Sequence, residues 1–365
     1  KLTNMAFEAT KREWCELATF FKLLADGTIA LGTTEAMKTD TYWPIAMIQR
    51  EEHNGPRQYF IETKNIKMQS EKGVHYISRN TLEKVSHLII HTVKEAKQNN
   101  VLSPDGIEDF LNEIDIFNLE AETKDRTDLS ISFWHPKATL HGFNVRSRLS
   151  SMNPLLDGGR TANLKLEQGG IKFAVPTVNK INALPQSPNE VAERMLMIER
   201  LGGILRYSDV ADRIFRCNLQ MIDLHFPRIL TEMVRTMHLD GITRISELTE
   251  IMKQRNPLKI KDELISKHGF YEYKIKQFLI ALTLGMRPAK LYKGEDTAIE
   301  GLLFMNGDGD IMCYHKSERK IMEEFLFQNT RLEKGSLDKD KYGFLERENG
   351  KYYFKLNAKI GFIKR

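Results

Sequence analysis

The spacing of apolar residues changes character once along this chain, and that change limits what it can fold into. In the first half, segments 42–50, 57–62, 116–121, 128–134 and 140–147 read as strands. From Ser187-Pro188-Asn189-Glu190, a capping-box pattern, the period turns helical. Helices are expected near 189–201, 209–222, 228–239, 246–254 and 271–284, the last with Ile275, Phe278, Leu279 and Leu282 on one face. The pattern therefore predicts an α/β (α+β) chain with a division near the switch, 1–185 and 186–365. At 365 residues it is long enough for two domains or one elaborate one.

Local signals fill in the rest. Thr10-Lys11-Arg12-Glu13 is a capping box, and Trp14, Leu17, Ala18, Phe21 and Leu24 follow at helical spacing until Asp26-Gly27. His53-Asn54-Gly55-Pro56 should join two strands, and helices are expected from Thr81 to Lys97 and after Ser103-Pro104. His135-Pro136-Lys137 is a short turn. Residues 148–170 read as a long polar loop, with strands expected at 163–167 and 171–175. Two hairpins close the chain, at Asn306-Gly307-Asp308-Gly309 and at Asn349-Gly350, with a helix at 317–328 between them.

Charge is informative by location. The net charge is +5. Between Lys137 and Lys180 there are seven Lys/Arg against two acids, which alone gives +5. A phosphate-facing surface would be built this way, because neutralised phosphates release counterions; a solvated basic face would look the same. Cys15, Cys217 and Cys313 are odd in number and far apart, which fits a reducing cytoplasm. No apolar run approaches the roughly 20 residues of a spanning helix, so no membrane association is expected. The first residues lack a signal peptide's apolar stretch.

The residues able to carry chemistry lie in 128–148. Asp128 opens one expected strand. Asn144 and Arg146 lie on the next and share a face, because side chains alternate with period two. A carboxylate, an amide and a cation at one sheet edge suit phosphodiester hydrolysis. Oxygen ligands hold a divalent ion, the ion lowers the pKa of a bound water, and a cation steadies the transition-state charge. The spacing alone also fits an ordinary sheet.

The stretch Gly142-Phe143-Asn144-Val145-Arg146-Ser147-Arg148-Leu149, then Pro154-Leu155-Leu156, then Thr161-Ala162-Asn163-Leu164, resembles the signature of the HpaII family of restriction endonucleases. That family carries Gly-Phe-Ser-Ile-Lys-Ser, Leu-Leu-Asn and Thr-Asn-Phe type segments. The blocks Phe20–Gly27, Phe270–Lys276, Leu284–Lys290, Cys313–His315 and Phe354–Asn357 resemble further family blocks in the same order. The resemblance implies a restriction-endonuclease-like mixed sheet core flanked by helices, with a helical C-terminal region that clamps DNA or is structural. It implies an Asp…(Glu/Asp)-x-Lys nuclease using Mg²⁺ on double-stranded DNA at a short, CCGG-like palindrome. A homodimer and a cognate DNA methyltransferase are the partners it suggests. Asp128 matches the metal-binding acid. Asn144 takes the second-acid position, and Glu16 (with Glu13 as runner-up) completes the metal site from the first helix. Where the family has Lys this chain has Arg146, which keeps the charge but cannot give up its proton. An impaired nuclease that still binds DNA is the alternative, and Lys165 is the substitute amine.

For reading DNA, Arg148, Asn153, Arg160, Thr161, Asn163 and Lys165 lie in or just beyond the polar loop, and Lys274 and Lys276 lie on a family-like helix. His135 and His141 flank a turn and read as an accident rather than a metal pair. Asn306–Asp310 lacks the remaining calcium-loop ligands and reads as a turn. The methionines at 195, 197, 221, 233 and 237 read as core packing.

Overall fold

A computed structural model describes residues 7–123, 126–294 and 297–364. Thr10 caps helix α1 (Lys11–Asp26). Its hydroxyl accepts from the Glu13 amide at 3.3 Å, and the Thr10 amide donates to Glu13 Oε2 at 2.7 Å. The helix buries Trp14, Leu17, Ala18, Phe20, Phe21 and Leu24. A buried Leu or Phe stabilises by about 1.5–3 kcal/mol, so this face anchors the helix far more than its cap does. Gly27, at φ +65°, ends it by donating to Leu23 O. Beside it packs α2 (Arg79–Glu95).

Both helices belong to a unit built from residues up to Asn153, Thr297–Phe325 and the last two residues. Its sheet contains, in chain order, β1 (Thr28–Gly32), β2 (Lys38–Glu52), β3 (Gly55–Ile61), β4 (Asn65–Ser70), β5 (Gly73–Ser78), β6 (Leu129–Phe133), β7 (His141–Ser147), β8 (Ile299–Met305) and β9 (Ile311–His315). The spatial order is β1-β9-β8-β7-β6-β2-β3-β4-β5, and β1 also pairs with β2, so the first six strands close a ring of pairings. β7 runs parallel to β8, and β9 parallel to β1; the other pairs are antiparallel. This is a mixed sheet flanked by helices, as expected.

The second unit is Pro154–Asp296 with Leu326–Ile363. It carries the helices Glu190–Arg200, Arg213–Gln220, Phe226–Asp240, Ile245–Arg255 and Phe270–Thr283. It also holds a four-stranded sheet that includes Asn163–Gly170, Gly203–Val210 and Lys351–Asn357. Compactness thus divides the chain into interleaved segments, whereas the change of period suggested one cut at 185/186. Hydrophobic period reports local structure, and a strand late in the chain can complete a sheet begun early.

Several expected elements take other forms. Residues 116–121 form no strand, because their backbone groups are bonded elsewhere. The buried Arg50 donates to the carbonyls of Asn118 and Leu119, and the Ala121 amide donates to Glu16. The polar loop is shorter than 148–170: a short strand at Leu156–Asp157 and a 3-10 turn at Gly159–Ala162 lead into the strand Asn163–Gly170. No strand forms at 171–175; helix Val175–Asn182 begins there. Within 209–222, helix Arg213–Gln220 starts only after the strand Gly203–Val210, with Asp212 as its cap. The β4–β5 hairpin, which closes at Ser70-Glu71-Lys72-Gly73 with Gly73 at φ +132°, was not among the expected elements. Asn189, not Ser187, is the N-cap of helix Glu190–Arg200, and it makes no side-chain cap bond. Among the described residues no helix is long and apolar enough to cross a membrane.

Candidate active site

The site is assembled by one helix, one strand and the segments leading into and out of the strand pair β6–β7. On α1, Arg12, Cys15 and Glu16 stand at i, i+3 and i+4, and so share a face. With Glu120, Asp128, Arg146 and Asn153 they line a cavity of about 190 Å³.

Two backbone amides fix the carboxylates. Val145 N–H donates to Asp128 Oδ2 at 2.7 Å, and Ala121 N–H donates to Glu16 Oε1 at 2.8 Å. Anchoring one oxygen of each orients the other. Burial raises the Asp128 pKa; the Val145 amide and Arg146 pull it back only in part. Glu16 is pushed up to about 8, first by burial and then by the negative charge of Asp128. Two neighbouring carboxylates, one buried and one half-buried, each short of positive charge, fit a divalent cation held by oxygen ligands.

The Arg146 guanidinium reaches into the same place. Its Nη1 donates to Val145 O at 2.8 Å and stands 4.0 Å from Asp128 Oδ2, while Nε donates to Asn153 O at 3.2 Å. Burial works against its charge and Asp128 supports it; an arginine stays protonated under such conditions. Arg12 bridges the mouth, donating to both Glu120 oxygens, at 2.7 and 3.2 Å, and to Asn153 Oδ1 at 2.8 Å.

The structure therefore brings Glu16, Asp128, Arg146 and Asn153 together. Asn144 is buried on β7, opposite Leu302, but is not among the described residues lining the cavity. Glu13 is occupied by the helix cap. Arg12 and Glu120 were missed by sequence reasoning. Arg12 could have been found from its i, i+4 spacing to Glu16; Glu120 sits in irregular chain that no pattern marks.

The expected DNA-reading residues fare unequally. Arg148 lies over the Phe304 ring, 5.2 Å from its centroid. Arg160 is exposed, with Nε donating to Lys339 O at 3.2 Å. Thr161 donates to Gly158 O within its own turn. Asn163 is buried, its amide nitrogen donates to Asp340 O at 2.7 Å, and its oxygen accepts from Asn357 at 2.9 Å. Both ends of its amide are engaged within the protein. Lys165 is ion-paired with Glu348 and lies over the Tyr353 ring. Lys274 pairs with Asp223 at 3.1 Å. Lys276 is buried against Glu272 and the Phe327 ring.

Comparison with known proteins bears on the whole chain. A family model described as HpaII restriction endonuclease matches residues 10–362. The type II restriction enzyme HpaII of Haemophilus parainfluenzae is 29% identical over 362 residues, covering 98% of this chain and 99% of that protein. No solved structure matches.

Proposed function

This chain belongs to the HpaII restriction endonuclease family, and on that premise we propose that it hydrolyses phosphodiester bonds of double-stranded DNA at a short, CCGG-like palindromic site. The observation that carries the reading is the cavity in which buried Glu16 and half-buried Asp128, both short of positive charge, meet Arg146. Glu16 and Asp128 would hold Mg²⁺. A bound divalent ion supplies Lewis-acid polarisation of the phosphoryl group and a water of lowered pKa.

The protein's own groups do the rest. The amides of Ala121 and Val145 hold the carboxylates in one orientation, so little reorganisation is needed when substrate arrives. Arg146, steadied by the carbonyls of Val145 and Asn153, offers a fixed positive charge to the extra negative charge of a pentavalent phosphorus. Asn144, two residues before it, serves in the reading as an amide that supports β7 beside Asp128. Arg160, which is exposed, and Arg148 are the proposed DNA contacts, with Arg12 and Asn153 at the cavity mouth. Palindromic sites match a two-fold homodimer, and a cognate methyltransferase would protect the host's own sites in the cytoplasm.

One observation favours a second reading, DNA binding with impaired cutting. The Arg146 guanidinium already occupies a position beside Asp128 and Val145 O where a cation would otherwise be bound, and it cannot titrate away. Digestion of one sequenced plasmid with Mg²⁺, by the chain as it stands and by Arg146→Lys, separates the two. Discrete fragments with uniform ends from the unaltered chain support the first reading. Cutting gained only with lysine supports the second, and no binding or cutting by either sinks both.

A further inference from the structure

A second polar cluster sits at the opposite end of β7 from the cavity. It joins His141 at the start of β7, Glu300 near the start of β8 and His315 at the end of β9, three adjacent strands. His141 Nδ1 is in short contact with Glu300 Oε2. His315 Nε2 lies 3.2 Å from His141 Nδ1 and 3.5 Å from Glu300 Oε2. His135, which flanks the same turn as His141, stands apart from this cluster: its Nδ1 accepts the Lys137 amide. Among the described residues this is the one trio of His, Cys, Asp or Glu whose ligand atoms all converge.

The backbone is shaped to bring them together. β7 and β8 run in register from Gly301–Phe143 onward, but one extra residue, Glu300, lies between the partners of Gly142 and Phe143. A bulge of this kind re-aims a side chain, and it is rare in a parallel pair. The flanking glycines let the strands close in. A Cβ at Gly142 would lie 2.1 Å from Ala298 O, and one at Gly301 2.5 Å from Tyr314 O.

We propose that His141, Glu300 and His315 form a binding site for a transition-metal dication of the zinc class, separate from the nuclease cavity. Zinc bonds of 2.0–2.1 Å in a tetrahedron put neighbouring ligand atoms about 3.3 Å apart, and the two longer edges here bracket that value. Hydrogen bonds account for pairs of atoms, whereas here His315 Nε2 faces both of the others. Ligating groups are held from behind, and this trio is too. His315 Nδ1 lies 2.8 Å from Ser317 Oγ and accepts the Ser317 backbone N–H at 3.2 Å, which fixes the ring's orientation. Lys316 donates to Glu300 Oε1 at 2.7 Å, leaving Oε2 as the single ligating oxygen. Two imidazoles and one carboxylate select zinc over magnesium, and the fourth position is open to water through half-exposed His141. An ion there would tie three strands at one end of the sheet.

The test uses the full chain, stripped with chelator, reloaded with zinc or cobalt in excess Mg²⁺, and desalted. One equivalent of zinc is expected to remain. Glu300→Gln and His141→Ala should each weaken binding by at least about 10-fold, while Asp128→Asn retains the ion. Zinc-edge absorption on the unaltered chain, which needs no variant to fold, should show two imidazoles. No retained zinc, an oxygen-only shell, or loss in Asp128→Asn with retention in Glu300→Gln would each overturn the proposal.

Discussion

One end of β7 gathers acids without enough cation; the other gathers bases around a single acid. At the Arg146 end, buried Glu16 and half-buried Asp128 lie beside each other and both are raised. At the His141 end, burial also raises Glu300, but hydrogen bonds from Lys316 and His141 outweigh it and the carboxyl is held lower than usual. The two clusters share a strand and a burial penalty, so the sign of the net shift comes from the neighbours. The acid-rich end suits a hard, oxygen-seeking ion. The imidazole-rich end suits a softer one.

The largest effect should come from removing the acid that β7 itself anchors. Asp128→Ala is expected to lower plasmid cleavage by at least about 100-fold, with DNA affinity in calcium largely kept. Full activity in that variant would remove the cavity from the chemistry. Asn144→Ala, on the same strand but not among the residues lining the cavity, should cost about tenfold or less, the scale of a supporting group. A loss equal to that of Asp128→Ala would return Asn144 to the reacting centre.

Stability against pH should separate the ends by sign, with metal removed by chelator. Glu16 is raised above its unfolded value, so the folded chain keeps a proton that the unfolded chain releases. Stability should therefore fall as pH rises from the ordinary glutamate range toward about 8, by no more than about 1.4 kcal/mol per pH unit. Melting curves of Glu16→Gln should be flatter there, and an unchanged slope would show that Glu16 is not the group. Glu300 is lowered, so its contribution is present above the ordinary value and lost as pH falls through the lowered one. Glu300→Gln should soften only the acid limb, the smallest of these effects; a change on the alkaline side would contradict the contrast.

Much of the fold was legible because its signals are local. The Thr10 capping box, Gly27, the Asn349-Gly350 turn and the helical period of 270–283 each act within a few residues. The strand Gly203–Val210 was hidden because its neighbours are helical, and 116–121 misled because it buries Ile116 and Leu119, three residues apart, without a ladder. Of the site, Asp128, Arg146 and Glu16 were legible through resemblance. The buried settings of Asn163 and Lys276 were not legible, because amides and ammonium groups look alike on paper whether they face solvent or a buried partner.

Sequence by itself determined most of the longer helices, several turns, the family and the residue types available for chemistry, since each rests on short-range spacing or on matched order. Tertiary structure alone decided that Arg12 and Glu120 guard the cavity, and that His141 meets residues more than 150 positions away. Pairing across that separation depends on which strands become neighbours and on where a bulge turns a side chain. Neither is encoded in any local window.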